Sequence, residues 1–164
     1  MAELTNLESK LGEVIGLAMA AQGATEKVSK LDELDGDLEQ ELERMRSEAK
    51  EAEERATEVA GSFDGKKTAI LDEAREVKQK ATEMMQDYLD READALDGFE
   101  FLTMAEAGEV GHWAIVEKLN EQARDAAIGE LVEWAVPVQQ RHYETVLAGS
   151  VKLAGGEDPH EIES

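Results

Sequence analysis

Apolar side chains recur at alternating steps of three and four residues through most of this 164-residue chain. That spacing places them along one side of an α-helix, so it predicts long amphipathic helices with continuous apolar stripes. Strong helix formers such as Ala, Glu, Leu and Lys dominate the composition, and the few Thr and Val residues form no alternating strand pattern. The chain is therefore predicted to be all-α.

Capping residues and turn signals predict where the first two helices begin and end. The first is expected to start near Thr5 or Asn6 and to run to about Leu34. A tight turn should follow, with Asp37 as the N-cap of the second helix, which is expected to end near Ala60. These two helices should form an antiparallel hairpin.

The second half of the chain predicts three further helical segments. One begins near Thr68, and Gly98 leaves open whether that helix continues into the next or bends there. The next covers about residues 99–120, and the last ends near Ala154 after a turn at residues 120–124. Pro137 lies inside the last helix and is expected to kink it, because proline removes one backbone donor.

These segments predict two helical hairpins joined by a long helical crossover, that is, a four-helix bundle with one extra helix. Residues 1–154 are expected to form a single domain, and the acidic, glycine-containing tail of residues 155–164 is expected to be disordered. Met84 and Met85 are predicted to fill the core. Gly108 and Gly111 are predicted to let their helix pack closely.

The charge of the chain limits its partners and its compartment. A formal net charge of −22 argues against nucleic acids and anionic membranes as partners. The absence of cysteine excludes disulfides and thiolate metal sites. The longest uncharged stretch, residues 14–25, is too short to span a bilayer, and the N-terminus lacks the pattern of a signal peptide. We therefore expect a cytoplasmic protein.

Two histidines occupy the apolar sides of the last two predicted helices. Glu109 lies three residues before His112, and Gln139 lies three residues before His142, so each pair shares one helix face. Buried imidazoles with a carboxylate one turn away are how helical bundles hold metal ions. A charged group on an apolar face needs a partner or a metal, because its desolvation is unfavourable by several kcal/mol.

The length of the last turn predicts which of these residues meet. If the turn centres near residues 121–122, Glu106 lies within about 7 Å of both Gln139 and His142 along the helix axis. His112 would lie roughly 16 Å from His142, so the two histidines should not share one ion in this hairpin. The compact cluster is therefore predicted to contain Glu106, Glu109, Gln139 and His142, with His112 one turn nearer the loop.

This motif resembles the second half of a ferritin-like or rubrerythrin-like di-metal carboxylate bundle. Glu106-x-x-Glu109 is followed by Gln139-x-x-His142 at the position where that family carries Glu-x-x-His. The likeness rests on the stretches FEFLTMAEAGEVGHWAIVEKL and EWAVPVQQRHYETVLAG. The predicted crossover segment GKKTAILDEA is similar to part of the small stress-associated bacterial ferritin-like proteins.

The resemblance implies a ferritin-like four-helix bundle that binds iron or manganese and takes part in an oxidative or general stress response. Any enzymatic activity would be of a metal-dependent oxidase or peroxidase type, with no nucleotide or organic cofactor. The metal-ligating candidates are Glu106, Glu109, His112, Gln139 and His142.

The first predicted hairpin departs from the family pattern. That family supplies a Glu and a second Glu-x-x-His there, whereas the first 111 residues of this chain contain no histidine. Gln22 and Met45 occupy the expected places, and Glu41 and Glu48 flank the second stripe as possible substitutes. The neutral amide of Gln139 also binds hard divalent cations less well than a carboxylate does.

Three classes of function remain open from the sequence. The first is a ferritin-like metalloprotein, whose missing ligands a second subunit could supply. The second is a degenerate, metal-free member of that fold with a structural or interaction role, in which Gln139, Glu109 or water satisfies His142. The third is a helical scaffold that dimerises as an open, elongated coiled coil. A homodimer is compatible with each class, and the sequence indicates no specific protein partner.

Overall fold

The computed structural model describes residues 2–32 and 34–163. Within these ranges the regular secondary structure is helical, which confirms the all-α prediction. The helices are α1 (Asn6–Ser29), α2 (Gly36–Ala60), α3 (Lys67–Tyr88), α4 (Ala95–Ala123) and α5 (Ala126–Ala154). No helix in these ranges is both long enough and apolar enough to cross a membrane.

The first helix begins as predicted and ends earlier than predicted. Thr5 caps α1 in a capping box with Glu8, in which each side chain bonds the backbone N–H of the other residue. The helix ends at Ser29 instead of continuing to about Leu34. The N–H of Lys30 bonds the carbonyl of Lys27 at 3.2 Å, and this tighter i−3 bond closes the last turn.

The second helix is capped by a different aspartate from the one predicted. The carboxylate of Asp35 accepts the backbone N–H of Leu38 at 2.9 Å, so Asp35 is the N-cap and Asp37 already lies within the helix. Asp35 also pairs with Lys152 of α5 at 2.8 Å. That ion pair joins the start of α2 to the end of α5.

The helical segment is interrupted between α3 and α4, well before Gly98. α3 ends at Tyr88, and Asp94 and Asp97 form a reciprocal capping box that starts α4. Gly98 therefore lies in the first turn of α4, and the helix neither continues from α3 nor bends at this residue. A Cβ on Gly98 would lie 2.9 Å from Val28 Cγ1, so glycine here lets α4 approach α1.

The turn between α4 and α5 is shorter than predicted and contains only two residues, Arg124 and Asp125. Arg124 takes the left-handed conformation with φ 55°, and Asp125 caps α5. The Asn120 side chain accepts the Asp125 N–H at 3.0 Å and donates to its carbonyl at 3.1 Å. α5 remains helical through Pro137.

Contacts between helices fix their directions. Lys66, at the start of α3, pairs with Glu8, and Lys27, near the end of α1, bonds the carbonyl of Leu89. α3 therefore runs parallel to α1, along its whole length. α2 runs antiparallel to α5, and α1 runs antiparallel to α4.

Glycines set the spacing between α1 and α3. A Cβ on Gly12 would lie 2.8 Å from the carbonyl oxygen of Ile70, and the approach at Gly16 is closer still. The sequence predicted close packing at Gly108 and Gly111. A Cβ added to either residue would have no atom within 4 Å. That prediction was wrong because both residues lie on the exposed face of α4.

The buried side chains form two apolar clusters, one around Trp113 and Ile15 and the other around Phe99 and Met45. Along α4, the buried polar residues Glu106 and Glu109 lie between the two clusters. Met84 is 51% exposed, so the prediction that it fills the core was wrong. It lies on the side of α3 that faces an open gap beside α4.

Candidate polar site between α2, α4 and α5

Four of the five predicted site residues meet in the interior, in what we call the buried polar cluster: Glu106 and Glu109 on α4 with Gln139 and His142 on α5. Glu106 is 1% exposed and His142 is 3% exposed. The Gln139 side-chain amide donates a short hydrogen bond to the Glu106 carboxylate and a longer one, of 3.4 Å, to its carbonyl. The prediction that Glu106 lies beside Gln139 and His142 is therefore confirmed, although the turn lies at Arg124 and Asp125 and not at residues 121–122.

His142 connects the two hairpins. Its Nδ1 atom lies 3.9 Å from Glu106 Oε2, and its Nε2 atom lies 3.2 Å from Glu48 Oε1 on α2. Glu48 is one of the two residues of the second stripe that the sequence indicated as substitutes. The imidazole thus lies between carboxylates of two different helices, and its ring has a polar neighbour at each nitrogen.

Arg141 occupies the side of the site where Glu48 lies, and the sequence gave no reason to single it out. Its guanidinium donates to both oxygens of the Glu48 carboxylate, at 2.7 and 2.5 Å. These bonds, followed by the one with His142, hold the pKa of Glu48 below its ordinary value. The only available signal was the position of Arg141 next to His142, at the edge of the apolar stripe.

Glu109 is a buried carboxyl beside another buried carboxyl. Burial is the main reason that its pKa lies well above the ordinary value of 4.5, and the negative charge of Glu106 raises it further. A hydrogen bond with Glu106 acts in the same direction, whereas one with Gln139 opposes it. Burial and the neighbouring Glu106 carboxylate therefore favour the protonated form of Glu109.

His112 does not join the cluster. Its side chain is 39% exposed, although the sequence placed it on the apolar side of its helix. Its Nδ1 atom lies 2.8 Å from the carbonyl oxygen of Gly108, and its Nε2 atom lies 3.6 Å from Glu13 on α1. The expected neighbour Glu109 is turned inward, so His112 reaches α1 instead.

The side chains of the buried polar cluster already have hydrogen-bond partners within the protein. Among residues 2–32 and 34–163, no group of three or more His, Asp or Glu side chains is arranged to hold a metal ion. Each fully buried side-chain nitrogen or oxygen in those ranges has a hydrogen-bond partner. The cavity beside Glu109, Gln139 and His142 has a volume of about 10 Å³, the space of a single water. The described residues therefore do not fit a two-metal centre.

Comparisons with known proteins give no relative from which a role could be transferred. No protein-family profile, curated protein or solved structure matches the chain.

Proposed function

We propose that this chain is a metal-free ferritin-like protein, in which the buried polar cluster joins the two hairpins through its contact with Glu48 and has no catalytic role. The helix directions support the fold assignment. α1 and α2 form one antiparallel hairpin, α4 and α5 form the other, and α3 returns along α1 to connect them. This is the hairpin–crossover–hairpin plan of the family that the α4–α5 motif resembles.

The observation that carries the proposal is the ion pair between Arg141 and Glu48. In a di-metal bundle, a carboxylate at such a position gives its oxygens to a cation. Here the guanidinium takes both oxygens of Glu48 and supplies the positive charge. A divalent ion bound there would lose one ligand and would lie close to a fixed positive charge. The arginine therefore supplies the positive charge that a metal ion would bring to Glu48.

The proton on Glu109 balances the second part of the cluster. A buried carboxylate pair without a metal would carry two negative charges in a medium of low polarity, which is strongly unfavourable. Protonation of Glu109 removes one of these charges, and the Gln139 amide stabilises the charge that remains on Glu106. A metal ion is thus not needed for charge balance.

A gain of metal binding tests this proposal. We expect purified wild-type protein to contain no stoichiometric metal and to show no rise in melting temperature with Mn²⁺, Fe²⁺ or Zn²⁺. The double variant Gln139→Glu with Arg141→Gln removes the guanidinium and adds a third carboxylate to the buried polar cluster. It should therefore bind Mn²⁺ and melt at a higher temperature in the presence of Mn²⁺. Arg44→Gln, which removes an exposed cation 3.5 Å from Glu48, is the matched control and should gain nothing.

The second candidate is a metalloprotein with iron or manganese at Glu106, Glu109 and His142, whose side chains would have to move to coordinate one ion. The buried carboxyl pair favours it, because a cation could replace the proton that burial favours on Glu109. Such a site would support the oxidase or peroxidase activity and the stress role that the family resemblance implies. Stoichiometric iron or manganese in the wild type, lost in His142→Ala, would establish this candidate and overturn the first.

The third candidate, an elongated dimeric coiled coil, has less support. Both apolar clusters contain side chains from both hairpins, which is typical of a closed bundle. A homodimer of closed bundles remains compatible with the fold, and sedimentation velocity measures it directly.

A further inference from the structure

An apolar cavity of about 300 Å³ lies between α1, α3 and α4. Its floor is α1, with Leu17, Ala20, Ala21 and Ala24, and its two walls are α3 and α4. The cavity exists because α3 and α4 both pack on α1 and hardly touch each other. Alanines on all three helices, including Ala81 and Ala105, leave the space unfilled.

The surface of this α1–α3–α4 cavity is almost wholly apolar, although the polar residues Lys80, Thr82 and His112 also line it. Met84, Met85 and Met104 border the opening, where their flexible side chains can adjust to the shape of a ligand. Glu106 and Glu109 also border the cavity, but their carboxyls are hydrogen-bonded within the buried polar cluster. The wall therefore offers a ligand extensive apolar contact and few polar groups.

The shape of the cavity limits what can occupy it. Its lining on α3 extends from Val77 to Met85, which is about 12 Å at 1.5 Å per residue. A volume of about 300 Å³ spread over that length gives a cross-section of roughly 25 Å². One aliphatic chain fits that width, whereas an α-helix is about 10 Å across with its side chains. A partner helix of that length would need several times this volume, so a small molecule is the better fit to the cavity.

We propose that the α1–α3–α4 cavity binds a small molecule with one unbranched aliphatic chain of roughly ten carbons, whose extended length matches the roughly 12 Å over which α3 lines the cavity. The polar end of the ligand lies at the opening, near Lys80 and Thr82. A second copy of the chain is disfavoured as the occupant, because two copies with a net charge of −22 repel each other. The proposal does not depend on whether the buried polar cluster binds metal.

A series of 1-alkanols tests the proposal through chain length. Each alkanol from butanol to dodecanol would be titrated into the full chain, and its binding would be measured directly by isothermal titration calorimetry. We expect the affinity to rise about fourfold per added methylene, as for full burial of each group, and to stop rising near ten carbons. Affinity that does not depend on chain length, or that keeps rising through dodecanol, would overturn the proposal.

Two matched substitutions locate the binding site. Ala81→Phe fills the cavity from its α3 wall and should weaken decanol binding at least tenfold. Ala114→Phe places the same ring on an exposed position of α4 outside the cavity and should leave binding unchanged. Met84→Ser tests the same wall at a side chain that is already half exposed, and it should weaken binding even if Ala81→Phe does not fold. Wild-type affinity in folded Ala81→Phe would contradict the assignment.

Probes that differ only in their polar end distinguish binding in the cavity from attraction to the acidic surface. Decanol should bind at least as well as decanoate or decylammonium, because the cavity holds the chain and not the head group. Binding of decylammonium alone, abolished by salt, would be attraction to the acidic surface and would overturn the proposal.

Discussion

Gly16 of α1 lies directly against the backbone of Ala74 on α3, and a Cβ on Gly16 would be 2.3 Å from the Ala74 carbonyl oxygen. The obstructing atom is backbone, so it cannot move aside without shifting the helix. We predict that Gly16→Ala lowers the free energy of unfolding by about 1–3 kcal/mol, as other overpacked sites do. Urea denaturation followed by circular dichroism measures the loss.

Gly23→Ala is the control for that prediction, since it makes the same change in the same helix. A Cβ on Gly23 would have no atom within 4 Å, so only helix propensity acts there. Gly23→Ala should stabilise the protein by up to about 1 kcal/mol. Equal effects of the two substitutions would contradict the close approach of α3 to α1.

Glu109→Gln should make the protein more stable at neutral and alkaline pH. The raised pKa of Glu109 means that the folded state keeps a proton that the unfolded state loses above pH 4.5. Wild-type stability should therefore fall as the pH rises from 4.5 to that raised pKa, by up to about 1.4 kcal/mol per pH unit. Glutamine imitates the protonated acid, so the variant should lack this slope.

Urea midpoints at pH 5, 7 and 9 test this difference. Glu117→Gln removes one charge from the exposed face of the same helix and corrects for the general effect of net charge. If Glu109→Gln and Glu117→Gln give the same pH profile, Glu109 is not the protonated member of the pair.

The Glu48–Arg141 pair should stabilise the contact between α2 and α5. The lowered pKa of Glu48 means that its contribution is present above pH 4.5 and is lost as the pH falls through the lowered pKa. At pH 7 we expect a coupling energy of about 1–2 kcal/mol between Glu48→Gln and Arg141→Gln in a double-mutant cycle. The coupling should vanish in strong acid. A zero coupling at pH 7 would show that the pair is solvated.

Asp35→Ala should destabilise the protein more than Asp37→Ala. Only Asp35 accepts the N-terminal N–H of α2, and it also pairs with Lys152. Loss of an N-cap side chain lowers stability by about 1 kcal/mol, whereas a first-turn aspartate contributes a few tenths through the helix dipole. Thermal melts of the two variants at one ionic strength would rank them, and the reverse order would identify Asp37 as the cap.

The α4–α5 contacts were predictable from sequence because a short turn between antiparallel helices fixes their register. Counting outward from an assumed turn at residues 121–122 placed Glu106 beside Gln139 and His142, and this contact is observed although the turn lies about three residues later. The start of α4 was also available from the sequence, since the Asp94-x-x-Asp97 spacing is a capping signal. Gly98 directly follows this capping box and does not itself end or start a helix.

Contacts between segments distant in the chain were not predictable in this way. Periodicity identifies the apolar side of α3 but not the helix on which that side packs, so the contact of Ala74 with Gly16 gave no local signal. Arg141 looked like a surface charge because its partner, Glu48, lies 93 residues earlier. The Glu109 side chain is buried, and the ionic neighbour of His112 is Glu13 on α1. The sequence of α4 alone could not predict that neighbour.

The central position of α1 has a consequence for synthesis of the chain. Val28 and Leu31 are covered by α4 at Gly98, a residue that is translated long after α1 has left the ribosome. Until then, one side of α1 has no partner, even when α2 has docked on the other side. The nascent chain must therefore keep an apolar helix face exposed, which makes the interval before α4 emerges the period of greatest exposure to aggregation and to chaperones.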